Sequence, residues 1–135
     1  MTPEVDAIVN TYPPTARRVF RALRTGLHRV AKREDAGPIT EALKWGEPSY
    51  LTDTSKSGTT VRIAWKEKTP AQCHIYVHCQ TNIIETLRAK FPNGRFEGNR
   101  AVVIPLDGPR PNALIDACFT LALTYHRHKR ARRAT

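Results

Sequence analysis

The sequence predicts an α+β fold in one domain, an antiparallel β-sheet covered by N-terminal, middle and C-terminal helices. Three observations carry this reading. Ala16, Val19, Phe20, Leu23, Leu27, Val30 and Ala31 recur on one stripe of a helix, at about 100° per residue. Segments near 43–51, 61–66 and 72–79 instead alternate apolar and polar side chains, the period of half-buried strands. Helical spacing then returns at Leu114, Cys118, Leu121, Ala122 and Tyr125 near the C-terminus. A chain of 135 residues, 40% of them hydrophobic, suffices for one core.

The elements follow in order. A first helix is expected from Thr2 to Asn10, with Thr2 as cap, Pro3 at its first turn, and Glu4 and Asp6 favoured by the helix dipole. Pro13-Pro14 ends it, and the long amphipathic helix runs from Pro14 to Lys32. Glu34-Asp35-Ala36-Gly37-Pro38 is a connector. Leu43 and Trp45 alternate with Lys44 in a first strand. Gly46-Glu47-Pro48 should break or bulge it before it resumes at Ser49-Tyr50-Leu51. Thr52 to Gly58 is a polar turn. Val61, Ile63 and Trp65 face away from Arg62, Ala64 and Lys66. Cys73, Ile75, Val77 and Cys79 should enter the core, with His74, Tyr76 and His78 on the opposite face. A helix from Asn82 to Phe91, a strand from Ala101 to Leu106 and a helix from Pro111 to Arg127 complete the domain, taken as residues 1–126. Residues 127–135 should be a basic tail that frays.

Charge narrows the function. The net charge is +10, which favours an anionic small molecule or an acidic protein, with weak, sequence-independent nucleic-acid binding as an alternative. The anion or nucleic-acid contacts would be Arg17, Arg21 and Arg24 on the long helix and Arg127, Lys129, Arg130, Arg132 and Arg133 in the tail. No apolar run approaches the roughly 20 residues of a membrane span. The acidic N-terminus lacks the apolar segment of a signal peptide, and three cysteines suit free thiols, so a reducing, cytoplasmic setting is expected. Cys73, His74, His78 and Cys79 do not form a zinc site, because six residues of strand separate the cysteines by about 20 Å. No phosphate-binding glycine loop, nucleophile elbow or paired-carboxylate motif occurs, so enzymatic activity and a cofactor are not expected.

Trp45 admits two readings. It packs in the core at the junction of sheet and helix, or it walls a groove. In the second reading Trp45, Glu47 and Tyr50 form one wall, and Asn99 and Arg100, in the turn before the last strand, form the other. Their amide and guanidinium suit a carboxylate or phosphate.

Leu43-Lys44-Trp45-Gly46-Glu47-Pro48-Ser49-Tyr50, following a helical region with Tyr12-Pro13, resembles the tryptophan-glycine-x-proline core of the YdhG-like domains of unknown function. Phe96-Glu97-Gly98-Asn99-Arg100-Ala101-Val102-Val103-Ile104-Pro105-Leu106-Asp107 resembles that family's second block. The resemblance spans about residues 5–125 and implies a compact α+β fold. One branch of the family is associated with a frataxin-like iron chaperone role in iron–sulfur assembly, so the resemblance makes iron the one metal to consider. Such sites use exposed carboxylates, whereas the long helix here offers arginines.

Overall fold

The computed structural model describes the backbone of residues 1–134 and the side chains of residues 1–129. Helices α1 (Pro3–Val9) and α2 (Pro14–Arg33) precede strands β1 (Thr40–Lys44), β2 (Glu47–Leu51), β3 (Val61–Trp65) and β4 (Gln72–Tyr76). Helix α3 (Ile83–Lys90), strands β5 (Phe96–Glu97) and β6 (Ala101–Pro105), and helices α4 (Asn112–Leu123) and α5 (Tyr125–Ala134) follow. The strands form one antiparallel sheet in the order β1-β2-β3-β4-β6-β5. The α+β class expected from the sequence is the class observed. Among the described residues no helix is long and apolar enough to cross a membrane.

The two faces of the sheet differ. Tyr50, Val61, Ile63, Cys73, Ile75, Val102 and Ile104 are fully buried on one face, in a cluster with Phe20, Leu23 and Leu27 of α2 and Cys118 and Phe119 of α4. Each large apolar side chain buried there contributes about 1.5–3 kcal/mol. The other face holds a separate cluster of Ala64, Tyr76 and Ala101, which contains no helix residue.

Residues 43–50 depart from the expectation. Strand β1 ends at Lys44, which pairs with Glu47, leaving Trp45-Gly46 as a two-residue hairpin loop. Both loop residues have positive φ, 55° and 74°, the mark of a type I′ turn, whose twist matches the flanking strands. Pro48 then sits within β2, opposite Leu43. There is no bulge at 46–48, and Trp45 does not fill the core: it is 92% exposed at the hairpin tip.

Two further corrections concern ends. Strand β4 stops at Tyr76, so Cys73, Ile75 and Val77 are buried while Cys79 is exposed. The expected helix 111–127 is broken at Thr124, and the expected tail from 127 continues as helix α5 to Ala134. A wedge from residues 57–59 explains the break. Thr59 N donates to Ala122 O and Ser57 Oγ to Leu123 O, while His126 N and Arg127 N both turn to Ser57 O. The carbonyls and amides that would have continued α4 are therefore satisfied by the loop instead. Arg127 also reaches back, donating to Glu34 O and Asp35 O.

The wedge demands a glycine at 58, since a Cβ there would lie 2.5 Å from Ala122 O and 2.6 Å from Leu123 Cα. Gly58→Ala is expected to lower stability in urea denaturation by about 1–3 kcal/mol or more. Trp45→Asn, in contrast, relieves a bulky side chain held at positive φ and leaves stability unchanged or raises it, by up to about 1 kcal/mol.

Candidate functional site on the open sheet face

Alternation along β3 and β4 sends Arg62, Ala64 and Lys66, and with them His74 and Tyr76, to the face that no helix cluster covers. Antiparallel register brings Tyr76 opposite both Arg62 and Ala101. The tyrosine ring becomes the centre of the face. Lys66 Nζ stands 4.7 Å from its centroid, Arg62 Cζ 5.7 Å and Arg100 Cζ 5.9 Å. Cations at these distances are attracted by the negative face of the ring, by about 0.5–1 kcal/mol each where exposed.

Two carboxylates hold the cations in place. Glu47 accepts from Arg62 Nε and Lys66 Nζ, each at 3.0 Å. Glu97 accepts from Arg100 at 3.3 Å and from His74 Nε2 at 3.0 Å. Burial disfavours the charged form of Glu97, but the hydrogen bonds from Arg100 and His74 outweigh it and hold the carboxyl below its ordinary range. Arg62 spends Nε on Glu47 and keeps both terminal nitrogens, the fork that recognises a second carboxylate.

His74 lies beneath this layer, its side chain 1% exposed and its ring stacked on Tyr76 at 5.2 Å. Its Nε2 also lies 3.0 Å from the Gln72 amide nitrogen, and Gln72 Oε1 accepts from Arg95. An Nε2–H donated to Glu97 leaves Nδ1 a buried lone pair without a donor. Burial lowers the pKa of His74 more than Glu97 raises it.

Trp45 joins this face at one corner. With Thr11 and Tyr12 on one side and Glu47, Trp65 and Lys66 on the other, it lines a cleft of about 420 Å³. Tyr12 packs on Trp65 with ring centroids 5.7 Å apart, and Trp65 Nε1 donates to Pro70 O.

The sequence-derived groove is brought together only in part. Glu47 and Arg100 both reach the layer over Tyr76, through Lys66 and Arg62 on one side and directly on the other. Trp45 lines the adjoining cleft. Tyr50 is on the opposite face, fully buried beside Arg24 and Glu41, its hydroxyl without a hydrogen bond of regular geometry; burial and the Glu41 charge push its pKa well above the ordinary tyrosine value. It cannot wall a surface groove. Asn99 is exposed, and its Oδ1 accepts from Arg88. Of the arginines read as anion contacts, Arg24 is committed to Glu41 at 2.6 Å, and Arg127 to the carbonyls of Glu34 and Asp35. Arg17 and Arg21 make no ion pair among the described residues, Lys129 is exposed, and the side chains of Arg130, Arg132 and Arg133 lie outside the described residues. Sequence reasoning missed Arg62, Lys66, His74 and Tyr76 as a group. The signal was present in the alternation of both strands, but nothing in the sequence says that those strands are neighbours.

Two of the three thiols, Cys73 and Cys118, lie in the core rather than on this face. Burial pushes Cys73 and Cys118 up to about 12, which keeps both protonated near neutral pH. Comparisons with protein-family models, with curated proteins and with solved structures find no match to this chain.

The histidines set a pH dependence. His74 and His28 are both lowered from 6.5, first by burial. The unfolded chain therefore takes up protons below that value before the folded chain does, and stability falls as pH drops. The carboxylates Glu41, Glu97 and Asp116 are lowered too, so their contribution is lost only below their ordinary values of 4.5, 4.5 and 3.8. Thermal melts between about pH 7 and pH 5 should show a falling Tm in the native chain and a flatter profile in the His28→Gln, His74→Gln double variant.

Proposed function

We propose that this chain is a non-enzymatic binding module that captures an acidic protein segment across its open sheet face. The observation that carries this reading is Trp45. It is 92% exposed and held at φ 55°, where asparagine or glycine would serve the turn better. A strained, solvent-exposed tryptophan works against both stability and solubility, and positions of that kind cluster at functional sites. Aromatic side chains are also the usual anchors of interfaces. Beside it, Arg62, Lys66 and Arg100 supply a cationic surface with donors to spare, over a rigid sheet. Tryptophan would anchor the partner, and the guanidinium forks would read its carboxylates.

The resemblance to YdhG-like domains, most of which have no assigned activity, does not specify a role. Its iron-chaperone branch fits less well. Glu41, Glu47, Glu97 and Asp116 each hold a cationic partner in this chain, and the field of a positively charged protein disfavours collecting cations.

Fluorescence anisotropy with a labelled glutamate-rich peptide tests the proposal. Binding should weaken at least tenfold, about 1.4 kcal/mol, in the Arg62→Ala, Arg100→Ala double variant and several-fold in Trp45→Ala, with unchanged Tm in the latter. It should also weaken as salt rises. Equal affinity of the native chain and these variants would overturn the proposal. So would duplex DNA binding more tightly than the peptide, a result that would favour the nucleic-acid alternative.

A further inference from the structure

The distribution of unpaired arginines points to a second site, on the other side of the molecule from the sheet face. Most arginines with described side chains have a hydrogen-bond or ion-pair partner: Arg18, Arg24, Arg33, Arg62, Arg88, Arg95, Arg100 and Arg127 all do. Arg17, Arg21, Arg29 and Arg110 have none among the described residues, and the last three of these line one cleft between α2 and α4. The cleft has a volume of about 600 Å³, within the range of roughly 300–1,000 Å³ typical of small-molecule sites.

Its construction is specific. Arg21 and Arg29 are two helical turns apart on α2 with Thr25 between them, so their charges flank the opening about 12 Å apart along the axis. Arg110, on the loop before α4, supplies a third charge. Asp116 is the one acid lining the cleft, and it is already held by Arg33 through both oxygens, at 2.8 and 3.0 Å. The floor is apolar. Ala22 and Gly26 leave a shallow strip on α2, and Gly26 approaches the ring of Phe119 closely enough that a Cβ there would meet it at 3.8 Å. Ile115 and Phe119 line the α4 side. The positive end of the α4 dipole opens at Asn112 with no side-chain cap, which adds to the field.

Three guanidinium groups around an apolar floor face a single carboxylate, Asp116, which is held by Arg33 and also feels the charge of Arg29. An anion entering the cleft would add negative charge that this lining lacks and satisfy the guanidinium forks, which match phosphate oxygens in pairs. We propose that this cleft binds a small organic phosphate: the arginines take two or more phosphate groups, and the apolar strip over Gly26 and Phe119 takes a flat organic body. The site is separate from the sheet face and does not depend on the partner proposed there.

Calorimetry with the full chain tests it, using adenosine diphosphate and inorganic pyrophosphate as probes. Adenosine diphosphate should bind at one site per chain and at least tenfold more tightly than pyrophosphate, because only the former uses the apolar floor. The exposed residues Arg21 and Arg29 can be changed without disturbing the core, and Arg21→Gln, Arg29→Gln should weaken both probes at least tenfold at unchanged Tm. Arg110→Gln should act the same way. Ala22→Leu, which fills the strip with a good helix former, should weaken adenosine diphosphate while sparing pyrophosphate. The Arg62→Ala, Arg100→Ala variant of the sheet face should bind both probes as the native chain does. Absence of binding at millimolar concentration, or affinities that ignore the cleft arginines, would overturn the proposal. Equal binding of the two probes would overturn the assignment of an organic body.

Discussion

Helix α2 lies against one face of the sheet only, and most of the structure follows from that contact. Its apolar stripe, with Phe20, Leu23 and Leu27 fully buried, packs on the side chains that β3 and β4 present to the core. Twenty residues of amphipathic helix can cover one side of a twisted sheet but not both. Helix α4 joins α2 over the same face. The other face is left to side chains, and a sheet with one solvated face is a common solution for antiparallel strands.

That second face meets water through long charged side chains rather than helices. Arg62, Lys66 and Arg100 lie over Tyr76, and Glu47 and Glu97 neutralise part of their charge. The arrangement buries Ala64, Tyr76 and Ala101 almost completely without any element packed on them, because arginine and lysine stems cover apolar surface while their heads stay in water. The same layer presents carboxylate-seeking groups on a rigid frame, so a requirement of solubility and a capacity for recognition share the same residues. Surface ion pairs of this kind add little stability singly. Their value here is position.

The loop at 57–59 shows how backbone hydrogen bonding can override helical periodicity. Ser57 and Thr59 take the carbonyls of Leu123 and Ala122, and Ser57 O takes two amides of the next helix. The side chains of 111–127 are helical in pattern throughout, yet the chain turns at Thr124 because a neighbour supplies the missing partners.

What the sequence determined by itself was the set of elements and their faces. The stripe of α2, the alternation at 61–66 and 72–76 and the cap at Thr2 are local, and local periodicity is legible in one dimension. Tertiary structure decided which elements meet. That Arg24 belongs to Glu41, 17 residues away, and Arg33 to Asp116, 83 residues away, depends on pairings that no local pattern encodes. So does the meeting of Arg62, Lys66 and Arg100 at Tyr76, which needs β4 to lie between β3 and β6. Trp45 stands between the two cases. Trp-Gly followed by a strand-forming segment is compatible with a type I′ turn, but alternation with Leu43 pointed to a continuing strand. The register of Lys44 with Glu47 chose the turn, and with it sent the tryptophan into solvent instead of the core.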